Sequence, residues 1–206
     1  MTSHASTKEI TLSERAQRIQ ELNLDPIIVK IMDKEEGEGW TLEQAFTAER
    51  LYKQFLTLTL KHPEKAIVPS KIMDAVWHYH ILDTRKYAED CENVFGYFLH
   101  HFPYFGMRGE EDARNLEDAF RTTTDLFAQE FGNTLGEASK AFESAFIDSS
   151  KCDGSGTGPN DCGACKSGAT CTTGKCDPGR DAAAKNSFAN RPSLTFDQKI
   201  LQLQFQ

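Results

Sequence analysis

Four of the six histidines stand in two close pairs, His78 with His80 and His100 with His101. A neutral imidazole serves equally as a metal ligand, a proton carrier or a hydrogen-bond partner. Carboxylates surround the first pair. Asp74 stands four residues before His78, where it can orient the ring, as outer-shell carboxylates do for metal-bound histidines. Asp83, Tyr87 and Asp90 follow at i, i+4 and i+7, presenting two carboxylates and a phenol to one side of a helix. His78, His80 and Asp83 would make a nitrogen and oxygen ligand set suited to zinc or iron, with Asp74, Tyr87 and Asp90 behind them. A regular helix turns about 100° per residue, so His78 and His80 point about 200° apart and converge only if the helix loosens at His80. The competing reading is structural: Trp77 and Tyr79 pack, and the histidines bond to carboxylates and backbone. Cys91 shares a face with Phe95, Phe98 and Phe102 and reads as a buried core thiol.

A second set of chemical groups lies near the C-terminus. Five of the six cysteines (Cys152, Cys162, Cys165, Cys171 and Cys176) and half of the 14 glycines fall between Cys152 and Gly179. One Cys-x2-Cys knuckle is present, without the second that would complete a paired zinc motif. Four of these thiolates could hold zinc or copper(I), since soft thiolates select those ions. Two other readings stand beside this one: a flexible linker, or a peptide segment that another enzyme modifies or that is oxidised on export. So few apolar residues cannot offset chain entropy. Order in this segment should therefore depend on thiol chemistry or on a partner.

The 206 residues carry a net charge of -8, with -9 in residues 1–151 and a slightly basic C-terminal end. That balance argues against nucleic-acid binding, which needs a basic patch to displace phosphate counterions. No apolar run approaches the roughly 18 residues of a membrane span, and the polar N-terminus lacks a signal-peptide core, so the expected setting is cytoplasmic. Phosphate loops, a Gly-x-Ser-x-Gly elbow, a Rossmann glycine pattern and His-Glu-x-x-His are all missing.

The elements that must position the histidines read as helices. Thr11 with Glu14 and Thr41 with Gln44 are capping boxes, each leading into apolar residues at helical spacing. Asp25-Pro26 opens another helix, and His62-Pro63 ends the one that starts at Thr41. Ser70 caps a helix carrying Trp77, His78 and His80. Asp83 caps the next, which the apolar pattern predicts to run over about 84–101 and to end before Pro103. These two helices should pack as an antiparallel hairpin around Trp77, Cys91 and Phe95. His100 and His101 would then lie about 25 Å from the turn, at 1.5 Å per residue, beyond the reach of His78. Only an early break, for which Gly96 leaves room, would bring them back. Two further helices, from about Glu110 to Phe131 and through Phe142, complete the expected body. Leu201, Leu203 and Phe205 alternate and suggest a short strand or docking peptide.

The expected architecture is all-α: a compact multi-helix bundle over 1–150, a largely irregular Cys/Gly-rich segment over 151–181 and a C-terminal extension over 182–206. The block Trp77-His78-x-His80-x-Leu82, Tyr87, Asp90-Cys91 and Gly96 resembles the signature of the glycine-rich domain-containing protein-like family. Val68-Pro69 and the run from His100 to Gly106 are similar to its shorter microbial branch. The resemblance spans roughly 40–132 and implies an α-helical domain without an assigned reaction. No RNA-binding signature is present, so the RNA role of some members does not transfer. The resemblance favours a polar role for His78 and His80, because apolar residues would pack better. The function expected from all this is a metal-binding helical protein holding zinc, iron or copper, with no organic cofactor. The alternatives are a module that binds a protein or peptide, and a metal-dependent enzyme acting on a small molecule or a cysteine-bearing peptide.

Overall fold

The computed structural model describes residues 10–147, 191–195 and 198. Among them are seven α-helices and no strand: α1 Leu12–Gln20, α2 Asp25–Met32, α3 Leu42–Lys61, α4 Lys71–Leu82, α5 Thr84–Val94, α6 Glu110–Phe131 and α7 Leu135–Ile147. Both capping boxes form, with Thr11 accepting from the Glu14 N–H and Thr41 from the Gln44 N–H. Each pair satisfies two donors that a helix start otherwise leaves open.

Helix α3 is the hub, packed against α1, α2, α4, α6 and α7. Its Leu51, Tyr52, Phe55 and Leu58 are fully enclosed among Ile28, Ile31, Met73, Val76 and Phe127 from its neighbours. The bundle is all-α, as the periodicity predicts. Trp77, Cys91 and Phe95 are all buried, and α4 packs against α5. Leu12 and Phe120 are exposed. No helix among the described residues is long and apolar enough to cross a membrane.

Two features depart from the expected layout. Helix α5 stops at Val94 instead of continuing to about residue 101. Arg15 and Arg18 of α1 reach across to donate to the carbonyls of Val94 and Asn93, each at 2.7 Å. They satisfy orphan carbonyls at the helix end, and Gly96 then turns the chain at φ 76°. Further along, residues 191–195 lie on the body. Leu194 joins the core, its N–H donates to Asp25 Oδ2 at 3.3 Å, and Arg191 grips Asp83 with contacts of 2.5 and 2.9 Å. The Cys/Gly segment and the alternating Leu201, Leu203 and Phe205 lie outside the described residues.

Candidate metal centre

Asp74 and His78 sit one turn apart on α4, so their side chains share a face. The third member comes from the chain that follows the Gly96 turn. His101 Nε2 lies 2.9 Å from Asp74 Oδ1, and its ring centroid is 4.8 Å from that of His78. His78 Nε2 stands 3.7 Å from the other Asp74 oxygen. One ligand atom from each of Asp74, His78 and His101 fits within a mutual 4.8 Å. The His101 side chain is 15% exposed, Asp74 35% and His78 52%, so the cluster is a shallow site with one recessed ligand.

The segment that carries His101 is held from below. The Trp77 indole N–H donates to the Tyr87 hydroxyl at 2.8 Å, and that hydroxyl donates onward to the carbonyl of Leu99, two residues before His101. The Trp77 ring also packs on the His101 ring, centroids 4.5 Å apart. Burial pushes the Tyr87 phenol well above its ordinary range, so it stays a proton donor in this chain of bonds. Burial likewise pushes the Cys91 thiol up, and Cys91 is a free, buried cysteine. Changing Tyr87 to phenylalanine should cost about 1–3 kcal/mol, because the buried indole N–H and the Leu99 carbonyl lose their partner together. Urea unfolding checks this; a loss under about 0.5 kcal/mol, the size of a neutral surface change, would contradict it.

His80 goes elsewhere. Helix α4 stays regular through Leu82, so His80 faces the core while His78 faces out. Its Nδ1 meets the Tyr52 hydroxyl at 3.0 Å and its Nε2 meets Asp90 Oδ2 at 2.9 Å. The neutral Nε2–H tautomer satisfies both: Tyr52 donates, and the ring donates to Asp90. Burial, outweighing the pull of Asp90, holds the His80 imidazole below its ordinary value. Burial would raise the Asp90 carboxyl, but the hydrogen bonds from His80 and Lys86 overcome it and leave Asp90 below its usual range. Lys86 Nζ lies 2.8 Å from the same Asp90 oxygen.

The expected ligand set is thus divided. His78 meets Asp74 and His101, while both ring nitrogens of His80 are already engaged in the core. Asp83 caps α5 by accepting from the Lys86 N–H and pairs with Arg191, which holds its carboxyl below the ordinary range. Tyr87 and Asp90 belong to the buried hydrogen bonds above and do not approach His78. Asp74, expected to orient a ligand from behind, stands in the first rank of the cluster. His101 was missed as a partner of His78; Gly96 was the one local signal for it. The thiolates Cys152, Cys162, Cys165, Cys171 and Cys176 lie outside the described residues.

Fold and site together define an all-helical protein with two imidazoles and one carboxylate gathered at its surface. The chain belongs to the UCP032817-like family, whose profile matches residues 14–131. That span holds α5, the Gly96 turn and all three members of the cluster, and it ends with α6. No curated protein and no solved structure matches the chain.

Proposed function

We propose that this protein binds one divalent transition metal through Asp74, His78 and His101. The carrying observation is convergence: a helix face and a separate loop bring three ligand atoms within 4.8 Å of one another. Two nitrogens and one oxygen suit zinc or ferrous iron, and two histidines with one carboxylate is a recurrent set for both. Three protein ligands leave coordination positions for water or a ligand, which is the pattern of reactive rather than purely structural zinc sites. Trp77 and Tyr87 would serve to hold His101 in register for the ion.

The likeness of the Trp77-to-Gly96 block to the glycine-rich domain-containing protein-like family, and a cytoplasmic setting, belong to the same proposal. A second reading has its own support. Tyr97, Phe98, Phe102, Tyr104 and Met107 are exposed along one loop, more apolar surface than a loop needs, which favours a protein or peptide partner.

Equilibrium dialysis against zinc separates the two. The full chain is used with its five C-terminal cysteines changed to serine, so that thiolates do not contribute. One equivalent should bind. Changing His78, His101 or Asp74 to alanine should each weaken zinc by about 100-fold or more, beyond the 10–100-fold typical of groups behind the ligands. Uptake below about a tenth of an equivalent would reject the metal and leave the partner surface as the better reading.

A further inference from the structure

Beside the three-residue cluster, the structure forms a cleft of about 350 Å³. Asp74, Trp77 and His101 line it together with the apolar Val68, Phe105 and Leu116. The walls are built rather than loose. The Val68 N–H donates to Thr123 Oγ1 of α6 at 2.9 Å. Arg108 forks onto Asp112, its Nη2 at 2.6 Å, and lies over the Phe102 ring. Asp112 also accepts from the Gly106 N–H at 2.7 Å, closing the loop that carries Phe105. Such a volume sits near the lower end of the roughly 300–1,000 Å³ that holds small ligands, enough for a single ring or a short chain.

The charge at this cleft is one-sided once a metal is present. Asp74 neutralises one of the two charges on a divalent ion. Lys71 also lines the cleft, is exposed, and has no ion-pair partner among the described residues. A second cleft shares Lys71 and Asp74 and adds Lys30, Glu36 and Glu38, so its lining carries one more negative charge. We infer that the cleft beside Trp77 and Leu116 is the binding site for a small apolar monocarboxylate. Its carboxylate fills an open position on the metal within reach of the Lys71 charge, and its apolar body lies against Phe105 and Leu116. This inference rests on the metal-binding reading.

The test uses the full chain with the five C-terminal cysteines changed to serine, with and without one equivalent of cobalt(II). Cobalt content is measured first, so that loss of the metal is seen separately from loss of the ligand. The probes are phenylacetate, its neutral analogue phenylacetamide, and acetate. Phenylacetate should bind the loaded protein at least about tenfold more tightly than the metal-free protein, and more tightly than either control by a similar factor. It should also alter the visible cobalt spectrum. Lys71→Ala should weaken phenylacetate by about three- to tenfold with cobalt content unchanged. Leu116→Trp should block the cleft while cobalt is still taken up. A loaded protein that binds phenylacetate no better than phenylacetamide, or a cobalt-loaded Leu116→Trp variant that binds it like the parent, would overturn the inference. A chain that takes up no cobalt overturns it as well, by removing the ion the carboxylate needs.

Discussion

Replacing His80 with alanine should lower the unfolding free energy by about 3–5 kcal/mol, whereas His78→Ala without metal should change it by no more than about 0.5 kcal/mol. The difference follows from where two residues of the same type point. His80 is 1% exposed and bridges Tyr52 to Asp90. Its loss opens a cavity, leaves a buried hydroxyl without its acceptor and removes one of the two bonds that hold the Asp90 charge. His78 is half exposed and its closest carboxylate is at 3.7 Å.

The same burial sets a pH dependence. The folded chain keeps His80 neutral, below its ordinary value of 6.5, while the unfolded chain protonates normally. Below pH 6.5 the unfolded state therefore takes up a proton that the folded state refuses, and stability falls until the lower folded value is reached. Asp90, also held below its ordinary 3.8, adds a further loss at still lower pH. Urea unfolding at pH 7.5, 6.5 and 5.5 should show a decline in the parent that is shallower in His80→Gln. Equal slopes in the two proteins would refute this origin.

Leu194→Ala should cost about 2–4 kcal/mol, the range for a leucine removed from a packed core. Leu194 is 4% exposed, and the residues around it hold it in place through Asp25 and Asp83. A chain lacking residues 152–206 loses the same contact. Leu194 therefore gives the bundle over 1–150 a core contact from outside that span. Guanidinium unfolding of Leu194→Ala decides it; a change under about 0.5 kcal/mol would mean that 191–195 rests on the body without supporting it.

The helical character of the body was legible because four helix starts carry their own capping residue. Thr11, Thr41, Ser70 and Asp83 all cap as their types predict. The end of α5 was not legible. Phe95, Tyr97, Phe98, Leu99 and Phe102 prolong an apolar pattern that still looks helical after Gly96. The helix stops at the left-handed Gly96, a local signal that the apolar pattern masked, and Arg15 and Arg18 of α1 take its last carbonyls across more than seventy residues of sequence. Local reading has no access to such a contact, and it carries the site with it, since only the turn at Gly96 returns His101 to Asp74. The His-x-His spacing was informative in the opposite sense to a shared ion. A regular helix sends the two rings to opposite faces, and α4 remains regular. The tie from Leu194 to Asp25 is more remote still in sequence, although Asp25 itself was visible at the start of α2.

The most direct test of the central claim resolves the histidine rings one by one. Nitrogen-15 spectra of the imidazoles are recorded on the full chain with its five C-terminal cysteines changed to serine, as zinc is added to one equivalent. One ring nitrogen each of His78 and His101 should shift to its metal-bound position, while His80 keeps the Nε2–H tautomer it holds between Tyr52 and Asp90. Movement of the His80 nitrogens together with His78, or no response from His101, would contradict that claim.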